Sequence, residues 1–252
     1  MIRVAAVMAG EPRFCREFDL FLNSLGGVAV DWFMYFWSNS RAGGTHGFDL
    51  VAAPWLAPDP VWARDRLSRE LPPNHRVVAL EFGDRTSIVT PQISKKAGET
   101  DAERMWGMYN SLKSADLLRR QHEAEHGTYD LVIRARPDVG LSGSLDLERL
   151  FAESNPLSLY TPDNEQHGYG HRINDMIAVG TSRSITAYCD AVDWIPEYYR
   201  QGVIFHPETM LAVHCQQMNL AVQPRNWGQV VLRKLGQQIP NGAYISDYGR
   251  WA

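Results

Sequence analysis

Tyr129-Asp-Leu-Val-Ile-Arg-Ala-Arg-Pro-Asp-Val-Gly-Leu141 is an apolar run that ends in two arginines and an aspartate and then turns at a glycine. Leu131, Val132 and Ile133 are continuous and rich in β-branching, the pattern of a strand covered on both faces. Arg134, Arg136 and Asp138 follow with a period of two, so their side chains are expected on one side of the chain. Pro137 holds Arg136 extended and has no N–H for a central ladder, so the strand is expected to end there. In open α/β sheets ligands bind outside the carboxyl ends of the strands, where this Arg-x-Arg-x-Asp cluster would stand. The residue types suit a phosphate-and-metal site. They also suit a salt-bridged strand end that binds nothing.

The segments on either side build a sheet around this strand. Upstream, Asp101 is placed to cap a long helix over 102–126, with Met105, Met108, Tyr109, Leu112 and Ala115 on its buried face. Further back, residues 2–8 read as a first strand. Phe14, Phe18, Phe21, Leu22 and Leu25 form one helical stripe stopped by Gly26 and Gly27, and 28–37 reads as a second strand. That β-α-β unit is right-handed by default. Asp59 and Pro60 open a helix over 61–71, and 76–82 reads as another strand. Downstream, strands are expected at 157–160, 176–180 and 220–223. Helices are expected from Thr181, with Ile185, Tyr188, Cys189 and Val192 on the apolar face, and from His206-Pro207-Glu208. Residues 38–47, 86–100 and 161–174 read as loops. Such alternation predicts a single α/β domain with a mostly parallel central sheet flanked by helices.

Composition narrows the function. Twenty-five basic against twenty-nine acidic residues leave a net charge of −4, which argues against a general nucleic-acid binder or a polybasic membrane anchor. Cys15, Cys189 and Cys215 are odd in number and widely spaced, so they make neither a disulfide framework nor a Cys-x-x-Cys site, and a reducing, cytoplasmic setting is expected. The first apolar run is too short for a signal peptide or a membrane span. Eight tryptophans and ten tyrosines exceed what a core needs, and such rings often line sites for sugars or bases.

Several constellations could carry chemistry. Gly10 and Arg13 leave the first strand at the sheet's carboxyl edge, where a nucleotide base or diphosphate would lie; a turn that merely needs glycine is the alternative. That loop has neither the Gly-x-Gly-x-x-Gly of a dinucleotide fold nor a P-loop, and no Gly-x-Ser-x-Gly elbow occurs, so dehydrogenase, NTPase and serine-hydrolase readings have no anchor. Asn110 and Lys113, three apart on the long helix, suit a sugar hydroxyl or a phosphate, or a solvated helix face. Asp175 and Glu208 could orient an acceptor hydroxyl or take its proton, although Glu208 also suits a helix amino terminus through the dipole alone. His167 and His171 could contact phosphate or metal, or face solvent. His122, Glu123 and His126 satisfy the His-Glu-x-x-His pattern of zinc metallopeptidases. They follow the polar Arg119-Arg120-Gln121, with no evident third ligand downstream, so a charged helix end is the better account.

Four pieces together resemble small bacterial and viral glycosyltransferase-like proteins with the nucleotide-sugar-binding GT-A fold. They are Val7-Met-Ala-Gly-Glu-Pro-Arg-Phe14 with Val30-Asp-Trp-Phe-Met-Tyr-Phe-Trp37, Met105-Trp-Gly-Met-Tyr-Asn-Ser-Leu-Lys-Ser-Ala-Asp116 with the 129–138 strand, Asn174-Asp-Met-Ile-Ala-Val-Gly180, and Pro207-Glu-Thr-Met-Leu211. The resemblance implies one GT-A-like domain over 1–252, with a nucleotide-binding half (1–140), an acceptor-side half (141–226) and a carboxyl-terminal tail (227–252). It implies a transferase using a nucleoside-diphosphate sugar and an acceptor that the residues do not name. Gly10, Arg13, Asn110, Lys113 and Arg134 would hold the nucleotide and donor, Asp138 a Mn²⁺ or Mg²⁺ ion, and Asp175, Glu208 and Arg136 would serve the reaction. Where such enzymes carry Asp-x-Asp, the first position here is Arg136, and a guanidinium can stabilise a leaving diphosphate as a divalent cation would. A nucleotide- or sugar-binding module of the same fold without turnover is the alternative.

Overall fold

The computed structural model describes residues 2–10, 16–37, 60–84, 102–137, 139–163 and 173–231. Arg13, Asp101, Asp138, His167 and His171 lie outside them, as do the expected loops at 38–47 and 86–100 and the tail beyond 231.

The amino-terminal half is β1 (Val4–Gly10), α1 (Arg16–Ser24), β2 (Val30–Trp37), α2 (Pro60–Glu70), β3 (His75–Gly83), α3 (Ala102–His126) and β4 (Leu131–Ala135). Then come β5 (Val139–Leu141), α4 (Leu147–Glu153), β6 (Ser158–Pro162), β7 (Ala178–Gly180) and α5 (Ser182–Cys189). A 3-10 turn (Asp190–Asp193), α6 (Ile195–Arg200), α7 (Pro207–Gln217), β8 (Ala221–Arg225) and β9 (Gln229–Val231) complete the order. Seven strands form one sheet in the order β3-β2-β1-β4-β7-β6-β8. β3, β2, β1 and β4 are parallel neighbours, β6 and β8 are parallel, and β7 runs against both β4 and β6. The chain is therefore α/β with a mostly parallel, mixed sheet flanked by helices, an arrangement compatible with a Rossmann-like fold.

Alternation along the strands sorts the core into two layers. Val4, Ala6 and Met8 of β1 with Trp32, Met34 and Phe36 of β2 pack on Phe18, Phe21 and Leu22 of α1, Leu67 of α2 and Leu147 and Leu150 of α4. Ala5 and Val7 with Phe33 and Val132 face Met105, Tyr109 and Leu112 of α3, and α5, α6 and α7 extend that layer. Truncating one of the large rings, such as Phe21 or Trp32, would cost about 3–5 kcal/mol. The 25 residues of α3 span about 37 Å at 1.5 Å per residue, enough to run the full depth of the sheet. The helix therefore returns the chain to the amino edge, where β4 begins.

Gly180 ends β7 where the chain turns into α5. A Cβ there would stand 2.8 Å from the Ser158 carbonyl oxygen, so no other residue fits without moving β6. Thr181 then caps α5, its Oγ1 accepting from Ser184 N at 3.2 Å.

Three features were not expected from sequence. α4 has only seven residues, signalled by Asp146, whose Oδ1 accepts from Arg149 N at 3.0 Å, and by the buried pair Leu147 and Leu150. α6 is a six-residue helix with Pro196 in its first turn. β5 and β9 pair antiparallel in a separate small sheet, Val139 opposite Val231, so Trp227 to Val231 is anchored beside the chain that leaves Pro137. Among the described residues no helix is long and apolar enough to cross a membrane.

Candidate functional site

The strand order reverses at β1. The chain goes from β1 to β2 on one side and returns to β1's other side as β4, with Val7 opposite Arg134 and Met8 opposite Ala135. The carboxyl ends of β1 and β4 thus form the switch point at which open α/β sheets bind ligands. Gly10 ends β1 with φ +116, a conformation that side chains rarely adopt, and a Cβ there would meet nothing within 4 Å. Conformation alone asks for glycine at this place.

Arg134 and Arg136 share a side of the chain but not an environment. Leu131, Ile133 and Ala135 face α1, so Arg134 points with Val132 into the layer under α3 and α5. It is 1% exposed, its Nη1 donates to the Met176 carbonyl, and its Nε makes no hydrogen bond. Arg136, beyond the last residue of β4, is only partly buried. Its carbonyl accepts from Val139 N at 3.4 Å, which turns the chain into β5.

Two backbone segments close in on Arg134. Asn174 folds the first: its Oδ1 accepts from Met176 N at 2.9 Å and Ile177 N at 3.1 Å, and Tyr188 Oη of α5 donates to its carbonyl at 3.4 Å. The second is the amino end of α7, where Tyr109 Oη of α3 donates to the Pro207 carbonyl at 2.8 Å and Ile173 N donates to the Glu208 carbonyl at 3.3 Å. Burial pushes the Tyr109 and Tyr188 phenols well above their ordinary value, so both are neutral donors. Each also feels Asp175, which raises it, and Arg134, which opposes the rise. Asp175 is 7% exposed, and its carboxylate makes no ion pair or hydrogen bond among the described residues.

The structure thus brings Gly10, Arg134, Arg136, Asp175 and Glu208 to neighbouring segments at one edge. Asn110 and Lys113 are engaged with other groups of the chain. Asn110 Nδ2 donates to the carbonyl of Trp106, one turn back, at 2.8 Å. Lys113 Nζ pairs with Asp193 Oδ2 and lies 3.9 Å from Asp190 Oδ1, at the junction of α3 and the 3-10 turn. Sequence reasoning placed Tyr109 and Tyr188 only as apolar-face residues. Their hydroxyls do more, and the available signal was that a buried tyrosine needs a partner for its O–H.

At the opposite, amino edge the His-Glu-x-x-His residues are otherwise occupied. The His122 and His126 rings are stacked, with centroids 4.1 Å apart and planes 8° from parallel. Imidazole lone pairs lie in the ring plane, so these two do not converge on one ion. His122 Nδ1 lies 3.1 Å from Tyr129 Oη, which donates to Asp31 Oδ2 at 2.7 Å, and His126 Nδ1 donates to the His122 carbonyl. Glu123 takes Arg119 Nη1 and Ser182 Oγ on Oε2 and Tyr129 N on Oε1.

No protein-family model matches this chain, and no curated protein matches it.

Proposed function

We propose that the chain is a GT-A-like glycosyltransferase that moves a sugar from a nucleoside-diphosphate sugar to an acceptor hydroxyl. One observation carries the proposal. Arg134 at the end of β4 and Arg136 just beyond it stand at the carboxyl edge beside Gly10, at the reversal of strand order, and the segments bearing Asp175 and Glu208 are tied to the same place. In the reaction the acceptor oxygen bonds to the anomeric carbon. The bond from that carbon to the diphosphate breaks, and its electron pair leaves on the phosphate oxygen. The acceptor proton passes to a carboxylate, Asp175 or Glu208. Arg136 neutralises the charge that builds on the departing diphosphate, a contact strongest in the transition state. A Mn²⁺ or Mg²⁺ ion held by Asp138 would add to that neutralisation. Among the described residues no group of three His, Cys, Asp or Glu side chains could hold an ion, and Asp138 stands outside them.

The test is a thermal-shift panel of UDP, GDP, CMP and dTDP, with and without Mn²⁺, on the natural chain and Asp138→Ala. A ligand of the folded state at one hundred times its Kd adds about 2.7 kcal/mol of stability. One nucleotide raising Tm, with the metal-dependent part lost in Asp138→Ala, is the expected result. No shift with any of the four removes the donor site.

A second reading is a binding module of the same fold without turnover, in which Arg134, Arg136 and Gly10 hold the nucleotide while Asn110 and Lys113 keep their contacts with Trp106 and Asp193. It expects saturable nucleotide binding with no hydrolysis of the donor sugar.

A further inference from the structure

Two arginines and two acids are the fully or nearly fully buried charges among the described residues: Arg119, Arg134, Asp116 and Asp175. Arg119 and Asp116 are bonded to each other. Asp175 and Arg134 remain, in one neighbourhood but not bonded. Arg134 spends its Nη1 on the carbonyl of Met176, the residue after Asp175, and leaves its Nε unmatched. An unmatched N–H on a buried guanidinium is costly, and a fold retains one where the cation does something a hydrogen-bond count misses. Asp175 is the mirror case, a nearly buried carboxylate with no partner among the described residues. Tyr109 and Tyr188, which flank the pair, carry the fields of both charges.

We infer that Arg134 is a positioning residue that touches no ligand: it pins the Asn174–Met176 turn to the end of β4 and supplies the positive charge that balances Asp175. Asp175, with no hydrogen bond or ion pair among the described residues, is the carboxylate offered to an acceptor hydroxyl. The diphosphate falls to Arg136, which stands past the strand end and is less deeply buried. The ligand roles in this division rest on the glycosyltransferase reading. The pairing of Arg134 with Asp175 does not.

The experiment is a double-mutant cycle in thermal stability combined with the nucleotide panel. In the natural background and in Arg134→Lys, which keeps the charge, Asp175→Asn lowers Tm by about 2 °C or more, the scale of one interaction in a chain of this size. In Arg134→Met the sign reverses: Asp175→Asn raises Tm, because the uncompensated carboxylate is removed. A merely structural Arg134, holding only the Met176 carbonyl, would let Asp175→Asn act alike in all three backgrounds, and that result overturns the inference. If Arg134→Met alone does not fold, recovery of a cooperative transition in Arg134→Met/Asp175→Asn supports the pairing, and failure of the double variant too overturns it. In the ligand arm, the nucleotide shift survives in Arg134→Lys and is lost in Arg136→Ala. Loss of the shift in a stably folded Arg134→Lys would make Arg134 a ligand contact and refute the role assigned to it. No shift in the natural chain sinks the donor reading and leaves the Tm cycle to decide the pairing.

Discussion

The two buried arginines stand in opposite states of completion. Arg119 is 0% exposed and saturated: Nε donates to Asp116 Oδ1 at 2.8 Å, Nη1 to Glu123 Oε2 at 2.6 Å and Ser182 Oγ at 2.7 Å, and Nη2 to Thr186 Oγ1 at 2.7 Å. Arg134 is as deeply buried, and among the described residues it donates to the Met176 carbonyl and leaves its Nε unmatched. The saturated arginine joins α3 to α5, far along the helix from the carboxyl edge of the sheet. The unsaturated one stands at the end of β4, next to the switch point. A group that has spent all its donors can only hold structure together. One that has not is poorly explained by stability, and its position points to the site.

The largest expected effect is on the saturated side. Burial works against the Arg119 charge, yet the Asp116 and Glu123 carboxylates outweigh it and hold the guanidinium's pKa above its ordinary value. Burial pushes the Asp116 carboxyl up at the same time, against the opposing pull of the Arg119 guanidinium that donates to it. Arg119→Met strips both acids of their main partner, and breaking a buried pair from one side costs about 3–5 kcal/mol. Urea denaturation of this variant beside Arg134→Met should show the larger loss for Arg119→Met. Equal losses would mean that the number of satisfied donors does not separate the two sites.

A smaller effect, in pH, sharpens the contrast between groups that hold structure and groups left available. His214 is fully buried, its Nε2 donating to the Ala187 carbonyl at 2.6 Å while Nδ1 accepts from Tyr198 Oη at 3.0 Å. His75 is built alike, Nε2 facing the Val28 carbonyl and Nδ1 accepting from Trp32 Nε1. Burial lowers the pKa of both, and burial with the neighbouring His126 lowers that of His122. Below the ordinary histidine value of about 6.5 the unfolded chain therefore binds more protons than the fold does. Stability is fully present above that pH and is lost as pH falls from it towards the depressed folded values. Each histidine contributes a slope of at most about 1.4 kcal/mol per pH unit. Tm measured from pH 8 to pH 5 should be level and then decline, and His214→Gln should decline less steeply. An unchanged slope in that variant would remove His214 from the set.

How much of this was readable in the sequence depended on the range of the interactions. The β4 run, the α3 boundaries, the α1 stripe and the Pro207 start of α7 are set by neighbours a few residues away, and the structure carries them close to where they were expected. β5 and β9 are three residues each and pair across about ninety residues, so no local period announces them. The same limit hides the site's division of labour. Arg134 and Arg136 have the same local pattern, and only the packing of α3 and α5 over one face of β4 buries the first. Likewise His122 and His126 carry a metal motif in one dimension, and stacking with the Tyr129 and Asp31 contacts gives them a different employment in three.

Lys113 is the smallest case and tests the comparison at its weak end. Its Nζ reaches Asp193, eighty residues away in sequence, with side chains 26% and 53% exposed. Water screens such a pair and two mobile side chains must be ordered to form it, so its worth is about 0.2–1 kcal/mol. Lys113→Met should therefore lower stability by no more than that, by less still in high salt, and should leave the nucleotide shift of the natural chain intact. A nucleotide shift lost in Lys113→Met with stability unchanged would mean that the Asp193 pair opens to admit a ligand. Lys113 would then be a ligand contact, unlike Arg134, and its resting partner would understate its use.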